Sequence, residues 1–197
     1  MASVRIGCDN LVYAPLTADG ETLSYGEVKK LSNVMKININ PNPSSETLFA
    51  DDGPAETAAT LGKIEVEIDK AALSTAEKAA LLGHTIGTDG VLVYGANDSA
   101  PYVAIGFRTL KSNGKYRYVW LMKGKFMEPE DNNETKGDSI NFQNDTISGE
   151  FAKTDKTFTV DGKTIQPWKF EVDAEDADVD ASVITSWFSA PYQPKVV

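Results

Sequence analysis

The sequence predicts a mainly β, α+β fold, and three observations carry that prediction. Apolar and polar residues alternate with period two in Met35–Asn40 and again in Ile64–Asp69, as in strands with one face buried. After Asn113-Gly114, the residues Tyr116, Tyr118, Trp120 and Met122 fall on one side of a strand. Finally, strands, a short helix, more strands and a terminal helix follow one another without a βαβ rhythm or an internal repeat.

The 197 residues suit one domain with appended arms. Its parts are an N-terminal arm with the first strands (1–34), a long loop (41–62), core sheets (63–172) and a C-terminal helix and tail (173–197). Between the two alternating strands, Pro41–Gly62 holds three prolines and two glycines and is longer than an ordinary strand connection. A helix is expected over about residues 75–82, where Ser74 and Glu77 are spaced as a capping box and Gly83 can close the last turn. Val91–Tyr94 and Tyr102–Phe107 read as strands, the second buried on both faces. Asn113-Gly114 reads as a two-residue type I′ turn leading into Lys115–Lys123. Glu128–Asp138, with five acids against one base, reads as an exposed loop. Strands are expected at Ser139–Gln143, Ile147–Lys153, Thr157–Val160 and Lys163–Val172, the last two joined at Asp161-Gly162. A helix over 180–188 should set Val183, Ile184, Trp187 and Phe188 in one stripe, with Asp176, Asp178 and Asp180 near its N-terminus.

Hydrophobic residues at 41% and charged residues at 24% describe a folding, soluble chain. No apolar run is long enough to span a bilayer, and Met1–Ile6 lacks the apolar stretch of a signal peptide, so folding in the cytoplasm is expected. A net charge of −10, from 29 acids against 19 bases, argues against tight DNA binding. Cys8 is the single cysteine and His84 the single histidine, which leaves neither a disulfide nor a multi-imidazole zinc site within one chain. His84 therefore reads as structural.

Two partial motifs fail on inspection. Gly162-Lys163-Thr164 ends like a phosphate-binding loop, but Thr157 stands where its first glycine belongs. Asp176-x-Asp178-x-Asp180 begins like a calcium loop, but Ala181 and Trp187 stand at the glycine and glutamate positions. No serine sits in a nucleophile elbow, so no catalytic, cofactor or metal residues are assigned. Tyr116, Tyr118 and Trp120 could form a carbohydrate-stacking face, though such a stripe is more often core or subunit interface. Paired carboxylates for glycoside hydrolysis have no support beyond the abundance of acids.

Several strings carry a resemblance over nearly the whole chain: Asp9–Ala14, Ser45–Gly53, Ala80–Gly83, Pro101–Arg108, Asn113–Trp120, Lys123–Phe126, Thr135-Lys136, Ser139–Gln143 and Trp187-Phe188. In these segments the chain resembles the major tail proteins of long, non-contractile-tailed bacteriophages, the group typified by phages of Gram-positive bacteria. The resemblance implies a tail-tube β-sandwich with a flanking helix. Its copies would form six-membered rings stacked around a tape-measure protein, meeting tail terminator and distal tail proteins at the ends. DNA would pass through the lumen without specific binding, and the protein would reside in the virion tail without cofactor or membrane. No immunoglobulin-like extension is expected after the core. Related tail components, such as a terminator or the inner tube of an injection apparatus, share the expected fold.

Within that setting Glu65, Glu67 and Asp69 turn away from the core and are expected to line the lumen, the alternative being a solvated outer wall. Leu48, Phe49, Ala50, Asp51 and Asp52 of the long loop are expected to reach the neighbouring ring; the alternative folds Leu48 and Phe49 back onto their own domain. Tyr116, Tyr118, Trp120, Trp187 and Phe188 are expected in the core or a subunit interface.

Overall fold

The structure, a computed structural model, describes residues 3–50, 53–131, 133–135 and 143–194, and for 44–59 the backbone alone. The chain opens with a 15-residue strand, β1 (Arg5–Asp19), followed by β2 (Leu23–Tyr25) and β3 (Lys29–Lys30). Next come β4 (Val34–Asn40), β5 (Ser44–Ala50), β6 (Gly53–Thr60) and β7 (Ile64–Lys70). Helix α1 (Thr75–Leu82) leads to β8 (Thr85–Ile86), β9 (Leu92–Val93), β10 (Val103–Lys111) and β11 (Tyr116–Phe126). The chain continues through β12 (Asp145–Ala152), β13 (Phe158–Val160), β14 (Lys163–Ile165), β15 (Lys169–Asp173) and α2 (Ala181–Ser186).

The fold is mainly β. One antiparallel sheet runs β2-β1-β10-β11-β12-β7-β4, with β3 beside β1 and β15 beside β11. β11 is the fork: Arg117–Leu121 pair with β15, and Lys123–Phe126 pair with β12. The register against β10 slips between Ile105/Leu121 and Val103/Gly124, so one extra β11 residue bends the strand where its partner changes. Leu11 and Ile105 from one wing share a core with Val66 and Ile147 from the other, which folds the sheet over on itself. Leu81 and Leu82 of α1 join this core. A second core lies on the opposite face of β1, β10 and β11, where Val12, Ala104, Trp120 and Met122 meet Phe158 and Trp187. The wing buried on both faces accounts for the near-continuous apolar runs Leu11–Ala14 and Val103–Phe107. Gly106 faces Trp120 across the ladder because a Cβ there would come within 2.8 Å of the indole.

Helix α1 forms where expected. Ser74 and Glu77 make the reciprocal capping box, and Gly83 ends the helix with φ 82°.

Several expectations are corrected. Pro41–Gly62 is no irregular loop, since β5 and β6 pair from Ser44↔Thr60 to Ala50↔Gly53 as a two-stranded ribbon that prolongs the β4–β7 pair past a neck at Pro41–Pro43 and Leu61–Lys63. The first strands expected within residues 1–34 do form, as β1, β2 and β3, and β1 lies inside the sheet between β2 and β10. The Asn113 turn is not type I′: Asn113 keeps a negative φ, Gly114 alone is left-handed, and Lys111 accepts from the Gly114 amide while donating to Lys115. That is a three-residue turn closed by a glycine bulge. At Asp161-Gly162 both φ values are positive, at 50° and 72°, and the two-residue turn does form. Lys163–Val172 divides into β14 and β15 around Pro167, whose ring nitrogen cannot donate to a ladder. α2 stops at Ser186, two residues short of the expected end. Residues 139–142 of the expected Ser139–Gln143 strand lie outside the described residues.

Candidate assembly surfaces

β7 settles which way its acidic row points. Ile64, Val66 and Ile68 are buried while Glu65, Glu67 and Asp69 lie on the opposite face. Neighbouring strands extend that face into a polar sheet. Glu65 stands beside Asn40 and Glu150, Glu67 beside Asn38 and Ser148, and Asp69 beside Lys36 and Thr146. Lys36 Nζ is 3.9 Å from both Glu67 and Asp69, Thr146 donates to Asp69 at 2.7 Å, and Lys63 pairs with Glu150 at 2.9 Å. With exposed partners these ion pairs hold little stability, and the face stays acidic.

The β5–β6 ribbon rises from the same wing. At ~3.3 Å per residue its strands reach about 23 Å, and among the described residues they pair with each other and with no other strand. A ribbon of two strands is marginal by itself, so its open edges favour a partner. Leu48, Phe49 and Ala50 belong to β5, opposite Glu56, Pro54 and Gly53. Their side chains lie outside the described residues, as do Asp51 and Asp52 altogether.

The aromatic set falls inside the chain's own second core. Trp120 is fully buried and donates from Nε1 to the Trp187 carbonyl at 2.8 Å. Trp187 stacks on Tyr192 at 5.2 Å and 17°, while Phe188 meets Tyr118 and Trp120 at 5.8 and 6.3 Å. Tyr116 is half-buried at the rim, with Arg108 over its ring at 4.1 Å and Asp9 holding that guanidinium through two hydrogen bonds. The carbohydrate platform therefore has no exposed face at Tyr118 or Trp120.

His84 ties three segments together. Its Nδ1 meets Asp98 at 2.7 Å and its Nε2 meets Glu128 at 2.9 Å, with the Tyr94 ring 4.4 Å away. The Asp98 hydrogen bond, with a further contribution from Glu128, raises the imidazole above its ordinary value. For a raised histidine the charge-linked stability is complete below pH 6.5 and is lost as pH rises through the folded value. Warming scans across pH 5.5–9 should show stability declining over that window by about 1 kcal/mol, the size of a partly screened pair. His84→Gln should flatten the decline, and a decline of equal size in that variant would refute the assignment.

Three ion clusters had no sequence signal: two join segments far apart in the chain, and the third, Lys70 with Glu77, spans the turn between β7 and α1. Asp19 accepts from Lys123 at 2.7 Å and from the amides of Asp155 and Lys156; burial pushes its carboxyl up, but these donors outweigh it and the net shift is downward. Lys70, 1% exposed, pairs with Glu77 at 2.5 Å. Lys111 reaches Asp173 at 2.6 Å and also Glu175. Gly162-Lys163-Thr164 forms the β13–β14 hairpin, and Asp180 caps α2 by accepting from the Ser182 amide at 2.8 Å. Among the described residues no group of three potential metal ligands comes together, and no helix is long and apolar enough to cross a membrane.

The class defined by these features is a mainly β chain with one folded antiparallel sheet, an acidic outer face and a projecting ribbon. No family model matches the chain, and no curated protein matches it significantly.

Proposed function

We propose that this chain is a structural virion protein, the repeating subunit of a bacteriophage tail tube, whose copies form six-membered rings stacked into a conduit for DNA. The β5–β6 ribbon carries the proposal: two strands that, among the described residues, pair with no others in one subunit offer their edges to the next ring. Stacking of this kind joins unlike patches of successive subunits, as open assembly requires. The acidic face of β4, β7 and β12 supports the same reading, since carboxylates such as Glu65, Glu67 and Asp69 would repel phosphates and let DNA slide past. A basic lining would hold the backbone through counterion release. Its partners are further copies of itself, a tape-measure protein within the bore, and terminator and distal proteins at the ends.

Electron microscopy of the concentrated protein tests the proposal. Sixfold rings or hollow tubes are the expected result, with Glu65, Glu67 and Asp69 on the bore of the reconstruction. A monodisperse monomer at every concentration and salt would refute self-assembly, while tubes carrying these carboxylates on the outer wall would refute the lumen assignment alone.

A further inference from the structure

We propose that the cleft between β1 and β4 receives the acidic Glu130-Asp131 segment of a second copy, an inference that rests on the self-assembly reading above. The cleft encloses about 590 Å³, and Ile37, Ile39, Phe107 and Val119 give it an apolar lining. Its walls are the edges of β4 and of the start of β1, and the Cys8 thiol meets the Ile37 backbone between them. Among the described residues β4 pairs only with β7, and at Arg5–Cys8 β1 pairs only with β10.

Charge distinguishes the cleft from the rest of the molecule. On a chain of net charge −10, Arg5, Lys36, Arg117 and Lys169 line it and, among the described residues, no Asp or Glu does. Neighbouring carboxylates cancel these cations only in part. Glu171 is shared between Arg117 and Lys169, Lys36 stands 3.9 Å from its acids, and Arg5 has no carboxylate partner among the described residues. The Arg117 Nε is buried and has no acceptor among the described residues.

The occupant follows from complementarity. Glu130 and Asp131 are exposed, stand in the acidic run Glu128–Asp138 with its five acids against one base, and follow Met127, which is half-exposed and suits the apolar lining. Within one copy β12, β7 and β4 lie between this segment and the cleft, along the row Phe126, Gly149, Val66 and Ile39. The segment lies instead beside Asn144 and Thr146. Cleft and segment are unlike patches, so their union is heterologous and propagates from copy to copy.

Charge reversal tests the contact. Arg5→Glu/Lys36→Glu and, separately, Glu130→Lys/Asp131→Lys should each weaken self-association of the full chain at least about tenfold by sedimentation velocity, and all four changes in one chain should restore it. All four side chains lie at the surface, and circular dichroism verifies that each variant is folded. Cys8, the single cysteine, also lines the cleft. Its alkylation should slow about tenfold when the wild-type chain assembles, as expected for a thiol that a partner covers. A wild-type chain that never associates overturns the self-assembly reading and the cleft contact with it. An assembling wild type whose Cys8 reacts at the monomer rate, or whose reversals fail to rescue one another, overturns the cleft contact alone.

Discussion

Trp187→Ala should destabilise the folded monomer by about 3 to 5 kcal/mol, the usual cost of emptying a buried indole site. Trp187 is 3% exposed and closes the second core from outside, stacked on Tyr192 and edge-on to Tyr118. Its neighbours in the stripe, Val183, Ile184 and Phe188, pack against the same cluster. Truncation after Asp180 should cost at least as much, because it also removes the carbonyl that accepts from Trp120 and leaves that indole donor buried and unpaired. A control comes from Trp187 itself, whose Nε1 is buried without an acceptor among the described residues. An unmade hydrogen bond of that kind costs about 1–3 kcal/mol, so Trp187→Phe, which discards the orphan donor and keeps an aromatic ring, should lose clearly less than Trp187→Ala. Urea melts of the three variants provide the measurement. An unchanged midpoint for the truncation would contradict the packing of α2 onto the sheet.

Replacing Leu48 and Phe49 together with serine should abolish tubes while leaving the monomer's melting temperature nearly unchanged. Among the described residues their strand, β5, pairs only with β6, so the ribbon gains no ladder hydrogen bonds from the large sheet. Two apolar side chains at its far end contribute to the subunit only if they fold back on it, and burial there would be worth about 1.5–3 kcal/mol each. The two possibilities thus give opposite readouts. Loss of monomer stability indicates a folded-back pair, whereas loss of assembly alone indicates contact with the next ring. Normal tubes from the double variant would move the stacking role away from the ribbon, toward Ser3–Tyr13 or the chain after Ala190.

Much of this architecture is legible along the chain, and the legible parts share one physical origin. Ile64–Asp69 shows which residues are buried because period two in the sequence is period two in space. The Ser74–Gly83 signals place α1 because capping acts within one helical turn. The Tyr116–Met122 stripe lies on one face of β11 for the reason that the acidic row lies on one face of β7.

Interactions between distant segments are not written locally. Leu11–Ala14 and Val103–Phe107 announce burial, but only the second core on their far face explains why both sides of those strands are apolar. Pro41–Gly62 suggests a loop because its prolines and glycines suppress strand propensity, while cross-strand pairing from Ser44↔Thr60 onward makes a ribbon of it. Asn113-Gly114 and Asp161-Gly162 look alike as dipeptides, yet the spacing of their flanking ladders selects a bulged three-residue turn for one and a two-residue turn for the other.

The candidate surfaces divide along the same line. By itself the sequence determines a mainly β chain, an acidic row on one side of Ile64–Asp69 and an apolar C-terminal stripe, because strand and helix periodicity are properties of consecutive residues. Only the tertiary structure decides that β11 forks between β12 and β15, that Asp98 and Glu128 hold His84, and that four cations gather in a cleft on an acidic protein. Those arrangements join residues tens of positions apart, and their energies arise from cross-strand pairing and side-chain packing, which no local pattern encodes.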